Sequence, residues 1–224
     1  MAQTLQLVPR VHWLLVEDAQ NTTTFVTELL SRMTFKWTHM AVKSDAKGVV
    51  HCKGCAQRNA ALQWILSRDI LEGVMYFADD DNTYDVRAFD DIRSVTSVGM
   101  LPTGNLKTTF VSSPIIKGGR IVGFIDPWLG GRRWPVDMAS IVVDVNFWKT
   151  HNRPVFFADR PGYVETRFLE AMKITRESVQ LLADNCTQIY VWHTRTDRIR
   201  VDCAHVFRPE FSGTNIPILA KYFT

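Results

Sequence analysis

Three consecutive carboxylates, Asp79, Asp80 and Asp81, close a short apolar run formed by Val74, Met75, Tyr76 and Phe77. Adjacent like charges repel unless a cation or a donor-rich ligand shares their site. Mg²⁺ and Mn²⁺ take carboxylate oxygens and keep positions for substrate phosphates, so the trio reads as a metal-assisted phosphate or diphosphate site. A solvated acidic turn is the alternative, because Asp and Asn form turns without any metal.

Other side chains suit an anionic ligand. His193 and Arg195, in the run from Trp192 to Thr196, follow a predicted strand and can both donate to a diphosphate. Arg58, between Gln57 and Asn59, stands at a predicted helix start where backbone N–H groups attract anions, and Lys53 lies just upstream. Asp137 and Glu165 are acids set among apolar neighbours. Either suits a general base that takes a proton from a sugar hydroxyl, and either suits a structural cap. Trp128 with Arg132 and Arg133 reads as an aromatic platform with a basic rim for a sugar or acidic group, or as a packed loop. Cys52 and Cys55 form a CxxC. With Cys203 and His205 far downstream a zinc set is arithmetically possible, and a redox pair is the other reading.

The elements that must position these groups alternate. The run ending in the Asp trio is short, continuous and apolar, the pattern of a buried strand in a mostly parallel sheet, and ligands bind beyond the carboxyl ends of such strands. A second strand, 11–16, also ends in acids, Glu17 and Asp18. Helical spacing runs over 22–33, 57–67 and 86–95, with strands at 35–42 and 97–101 between and after them, which gives βαβαβαβ and an α/β fold class. From residue 103 the pattern changes to antiparallel strands, 108–114 and 119–124, around Gly118 and Gly119, then a loop over 126–135 rich in Gly and Trp. A helix over 165–174 and a last strand over 188–192 follow. Residues 1–102 are expected to hold one half of the cleft and 103–224 the other, packed as a single domain.

Composition bounds the function. The chain has 224 residues, 46% hydrophobic and 11% aromatic, enough to bury a sizeable core. Its net charge of +3 comes from scattered basic residues, which argues against a nucleic-acid binder and leaves anionic small substrates open. No run of 18 apolar residues occurs, and the N-terminus has no signal-peptide pattern. Asn21 and Asn185 head glycosylation sequons.

Taken in order, the segments 11–19, 57–62, 73–84, 136–139, 185–187 and 191–196 resemble the inverting β-1,3-glucuronosyltransferases. The resemblance covers roughly residues 5 to 200 and implies a nucleotide-diphospho-sugar transferase fold, Rossmann-like with an antiparallel acceptor-side subregion. It implies transfer of glucuronate from UDP-glucuronate to a galactose-terminated glycan, with Mn²⁺ as cofactor, a homodimer and a Golgi lumenal location. By it, Asp81 ligates Mn²⁺; Asp79 and Asp80 face ribose or uridine; and Asp18, Arg58, His193 and Arg195 complete the UDP site. Lys53 stands where the family tends to carry an arginine. Glu165 falls on the catalytic base, Asp137 and Arg132 on sugar-contacting positions, and Trp128 keeps its spacing of nine residues before Asp137.

Three departures accompany the resemblance. It places residue 1 inside a helix that follows the family's membrane anchor, stem and first nucleotide-binding strand, so those parts are expected to be absent from this chain, and membrane attachment would come only through that anchor. The segment 109–114 lacks the family's usual acceptor-contacting Glu, and the tail from Arg198 differs. A non-catalytic carbohydrate-binding relative is therefore the alternative to an active transferase.

Overall fold

The computed structural model describes residues 1–44, 52–104, 106, 109–157, 160, 162–194 and 208–222. Eleven strands and eight α-helices, with three short 3₁₀ turns, follow one another among these residues. The first half comprises α1 (Ala2–Leu5), β1 (His12–Glu17), α2 (Thr24–Ser31), β2 (Lys36–Ala41), α3 (Cys55–Ser67), β3 (Val74–Tyr76), β4 (Asn82–Tyr84), α4 (Val86–Ile92) and β5 (Val98–Met100). The second comprises β6 (Thr103–Gly104), β7 (Val111–Lys117), β8 (Arg120–Ile125), β9 (Ile141–Asp144), α5 (Val145–Thr150), α6 (Val164–Ala171), β10 (Val179–Leu181), α7 (Leu182–Cys186), β11 (Val191–His193) and α8 (Ile216–Ala220). The βαβαβαβ order expected of the first hundred residues is present, with the short β4 added directly after the Asp trio.

The strands form three sheets among the described residues: β1 and β2 in parallel, a four-stranded sheet in the order β10, β5, β9, β3, and a five-stranded sheet in the order β4, β11, β6, β7, β8. The fold is mixed α/β, as a nucleotide-sugar transferase fold requires. The run before the Asp trio differs from expectation in its neighbour, since β3 pairs antiparallel with β9, which also runs antiparallel to β5. A strand covered on both faces is continuously apolar in either direction, so composition does not distinguish the two.

Capping fixes several element starts. Asp85 accepts from Arg87 N at 2.9 Å and opens α4, and Asp144 accepts from Phe147 N at 2.7 Å and opens α5. The main core lies between α3, α6 and the four-stranded sheet, where Leu62, Met75, Met100, Ile141, Trp134, Trp148 and Phe168 are all buried. Phe77 meets Phe156 and Phe168 edge-on at 5.0 and 5.9 Å. A buried strand and helix thus hold the chain on either side of Asp79 in place.

Candidate active site

The Asp trio hangs between two strands. β3 carries the chain into it, and β4 pairs antiparallel with β11, aligning Asn82 with His193 and Tyr84 with Val191. That pairing joins segments over a hundred residues apart and brings the His193 ring to the trio, with Nδ1 2.9 Å from Asn82 Oδ1 and 3.5 Å from Asp81 Oδ1. Thr194 N donates to the carbonyl of Asp81 at 3.0 Å, and Tyr84 OH to that of Asp79 at 2.8 Å. The trio's backbone is therefore clamped while the Asp81 side chain stays 57% exposed. β11 also lies against β6, where a Cβ on Gly104 would meet the Trp192 ring at 2.9 Å, so a glycine is needed there for close approach.

Arg58 supplies the cation. From the second turn of α3 its Nη2 meets Asp79 Oδ1 at 3.0 Å, and its Nη1 donates to the carbonyl of Lys53 at 3.0 Å. Burial raises the Asp79 carboxyl above its ordinary range; Arg58 pulls it back, and Asp81 and Asp80 add repulsion. Neighbouring Asn59 bonds both ways with Phe156, 2.9 Å to its carbonyl and 2.8 Å from its N–H, which fixes α3 to the opposite wall.

That wall holds the second acidic group. Asp137 opens the 3₁₀ turn Met138–Ser140, its carboxylate accepting from Ala139 N at 2.9 Å, so the capping role is real. Burial nevertheless pushes this carboxyl up to about 7, with the charges of Asp79 and Glu165 contributing. Glu165 stands in the first turn of α6, where burial likewise raises its carboxyl and Arg132 and Arg58 pull it down. Charge interactions thus link Asp79 to Arg58 and Asp137, and Glu165 to Asp137 and Arg58.

Arg132 and Trp128 are arranged otherwise than a platform with a basic rim. The Arg132 side chain is only 5% exposed; Nη2 meets Asp126 Oδ1 at 2.6 Å and Nη1 lies 3.9 Å from Glu165 Oε2. It is an interior cation, because the strand end of β8 places Asp126 beneath it and Ser112 Oγ donates to that same acid at 2.6 Å. Its guanidinium covers the Trp128 ring at 4.8 Å, and Trp128 meets Tyr163 edge-on at 5.6 Å while remaining 46% exposed. Arg133 faces solvent, over the Trp134 ring at 5.9 Å.

The remaining sequence candidates divide. Asp18 accepts from Ser44 N at 2.8 Å, with Lys43 at 3.5 Å, and Ser44 Oγ accepts from Gln57 on α3 at 3.1 Å, so Asp18 reaches the site through two intermediaries. Glu17 is structural, accepting from Thr23 N at 2.9 Å and paired with His39. Lys53 and Asp80 have exposed side chains. Arg195, Cys203 and His205 lie outside the described residues. Cys52 and Cys55 are joined by a disulfide, which removes both thiolates from the zinc reading. Cys186 is a free thiol pushed up to about 12 by burial and is therefore inert. Sequence reading missed Asp126, Asn82 and Tyr84. Asp126 carried the same signal as the trio, an acid directly after an apolar strand.

For a divalent cation the chemistry of the donor set decides. Asp79 is occupied by Arg58, and among the described residues no three His, Cys, Asp or Glu side chains are gathered to enclose a metal. The exposed carboxylates of Asp81 and Asp80 fit an open site, in which one or two protein oxygens leave the other positions to water and phosphate oxygens.

An α/β chain that sets a cluster of aspartates at a strand end near half-buried acids such as Asp137 and Glu165 has the organisation of a sugar transferase. The chain belongs to glycosyltransferase family 43, whose profile matches residues 1–197. It is 39% identical over 202 residues to galactosylgalactosylxylosylprotein 3-beta-glucuronosyltransferase S of Drosophila melanogaster, covering 88% of this chain and 48% of that protein. The Caenorhabditis elegans enzyme sqv-8 is 37% identical, with 88% and 59% covered, and the human enzyme 3 is 36% identical, with 88% and 65% covered. The chain thus spans about half to two thirds of the length of these relatives. No helix among the described residues is long and apolar enough to cross a membrane.

Proposed function

We propose that this chain is the catalytic part of a β-1,3-glucuronosyltransferase that moves glucuronate from UDP-glucuronate onto a terminal galactose with inversion. The observation that carries this reading is the packing that joins the two groups: Arg58, paired with Asp79, lies over the Phe156 ring at 5.9 Å, and Phe156 stacks at 4.3 Å on Phe168 of α6, whose first turn carries the half-buried acid Glu165. A base and a diphosphate-binding cation are then carried by two helices packed through the same aromatic pair. Arg58, Lys53, His193 and Arg195 bind the donor diphosphate, and Asp18, Asp79 and Asp80 border the nucleoside. Asp81, with Asp80 beside it, would hold Mn²⁺, whose charge, when bound, offsets that of the leaving diphosphate.

Glu165 takes the proton of the acceptor hydroxyl as its oxygen bonds to the anomeric carbon and the bond from that carbon to the UDP oxygen breaks. A carboxyl raised by burial keeps that proton more readily than an ordinary glutamate, and Arg132 and Arg58 keep it ionised beforehand. Arg132 Nε is buried with no partner among the described residues, a donor suited to the carboxylate of a uronic acid. Asp137 and the exposed Trp128 ring border the acceptor sugar, the ring as an apolar stacking surface.

The relatives' names point to a galactosyl-galactosyl acceptor on a xylosylated protein. The disulfide supports an oxidising compartment such as the Golgi lumen, where a homodimer is the expected form. The test is to incubate purified protein with UDP-glucuronate, Mn²⁺ and a galactosyl-galactose acceptor while following UDP release and product anomer. Release that Glu165→Gln and EDTA leave unchanged overturns this mechanism, and Mn²⁺-dependent UDP binding without turnover favours the non-catalytic alternative.

A further inference from the structure

The Cys52–Cys55 disulfide closes a four-residue ring whose backbone is in direct contact with Arg58. Gly54, inside the ring, adopts φ +77, and the N-terminus of α3 begins at Cys55. Arg58 Nη1 donates to the carbonyl of Lys53, inside the ring, at 3.0 Å, and Arg58 N donates to the carbonyl of Gly54 at 2.9 Å. A Cβ on Gly54 would stand 3.0 Å from Arg58 Nη1, so the guanidinium lies flat against the ring. The other edge of the same guanidinium meets Asp79 at 3.0 Å. Cys55 is buried in the main core and Cys52 packs at its margin, so the ring is anchored by its apolar side.

We infer that this disulfide is a positioning element for the donor site: it fixes the carbonyl that holds one edge of Arg58 and so aims the other edge at Asp79 and the incoming diphosphate. The inference rests on the donor-site reading above. A four-residue turn containing a left-handed glycine is mobile when open, and the cross-link removes that freedom. Lys53, inside the same ring, presents its own charge from a fixed turn rather than from a flexible loop. An arginine that must be re-ordered on binding costs affinity, whereas one already held does not. Reduction would break the S–S bond, the two sulfurs taking two electrons and two protons from a dithiol that closes to its own disulfide.

The experiment is a comparison of UDP affinity, by calorimetry in the presence of Mn²⁺, for the oxidised chain, the chain reduced with dithiothreitol and then freed of it, and the Cys52→Ser/Cys55→Ser variant. Circular dichroism of each form checks that the fold is retained, and the wild-type chain reduced and reoxidised serves where the variant does not fold. Expected are a roughly three- to ten-fold weaker affinity on reduction, the size of re-ordering one long side chain, full recovery on reoxidation, and no response of the serine variant to dithiothreitol. In an Arg58→Ala background the effect of reduction should shrink to the part carried by Lys53, since the disulfide acts mainly through the Arg58 side chain. Equal affinity of oxidised and reduced wild type overturns the positioning role and leaves the donor reading intact. An undiminished redox response in Arg58→Ala also overturns it. Absence of UDP binding in both forms overturns the donor reading and the positioning role together.

Discussion

Arg132 Nη1 stands 3.9 Å from Glu165 Oε2, while Nη2 of the same guanidinium closes on Asp126 at 2.6 Å. The arginine is thus bonded to one acid and merely near the other. Glu165 feels the positive charge without a direct hydrogen bond to the guanidinium, which suits a base, because a tight ion pair would stabilise its carboxylate against proton uptake. Removing the charge should raise the Glu165 carboxyl further. For Arg132→Met combined with Asp126→Asn, which avoids stranding a buried acid, the acid limb of kcat/KM against pH is expected to move to higher pH, by less than loss of the arginine alone would give because Asp126 itself raises Glu165. The loss of activity should then be larger at pH 6 than at pH 8. A limb that stays in place would show that Arg132 does not set the ionisation of Glu165.

Asp137 gives a prediction for stability. Its carboxyl in the folded chain is raised to about 7, chiefly by burial, against an ordinary value near 4 when unfolded. The folded chain therefore holds a proton there that the unfolded chain has released. Its stabilising contribution is complete below about pH 4 and is lost as pH rises from about 4 to about 7, a fall on the order of a few kcal/mol. Asp137→Asn keeps the cap to Ala139 N, since an amide oxygen also accepts, but has no proton to lose. Urea unfolding across that range should show the wild type losing stability relative to the variant as pH rises. Parallel curves would mean that Asp137 titrates normally.

Much of this site was legible because its signals are local. The apolar run into Asp79, the Arg58 position at a helix start and the burial of Glu165 among apolar neighbours each follow from a few adjacent residues. What was not legible depends on partners far along the chain. Whether β3 has parallel or antiparallel neighbours is decided by β9, and nothing within Val74 to Tyr76 differs between the two. Arg132 reads as exposed because arginines usually are, yet Asp126 and Trp128 draw it inside. A CxxC leaves open a metal site and a redox pair, and only the bond between the two sulfurs in the folded turn removes the first. Residues 183 to 186 adopt left-handed backbone although none is glycine, a conformation held by Asp91 accepting from Ala183 N at 2.7 Å and Asn215 donating to the Cys186 carbonyl at 2.7 Å. Both partners are distant in sequence.

The Arg58 and Asp79 pair should be energetically coupled. Both side chains are largely removed from water, so Arg58→Met leaves a half-buried carboxylate without its partner. A destabilisation of roughly 1–3 kcal/mol is expected for the single change. Adding Asp79→Asn should recover part of it, because a neutral amide costs less to bury than a lone carboxylate. A double-mutant cycle in urea supplies the coupling energy, and strictly additive single effects would mean that solvent screens the pair.

Gly162 links backbone conformation to the acceptor wall. It adopts φ +74, and a Cβ there would lie 2.1 Å from the Trp128 ring, inside any permissible contact. Tyr163 follows directly, meeting Trp128 edge-on at 5.6 Å and donating from its hydroxyl to the Gly130 carbonyl, and α6 with Glu165 starts one residue later. Gly162→Ala therefore carries two separable penalties. The left-handed backbone costs roughly 1–2 kcal/mol for a residue with a Cβ, and the ring of Trp128 must move off its place between Arg132 and Tyr163. The first penalty appears in urea unfolding; the second should appear as a raised acceptor KM with UDP affinity unchanged, since Arg58 and the Asp trio, and not Trp128, are assigned to UDP. Combining Gly162→Ala with Trp128→Ala removes the clash and leaves the backbone term, so the double variant should lose little stability beyond Trp128→Ala plus that 1–2 kcal/mol while its acceptor KM stays high. If Gly162→Ala alone weakens UDP binding as much as acceptor binding, the two walls are not independent and the assignment of Trp128 to the acceptor side is wrong.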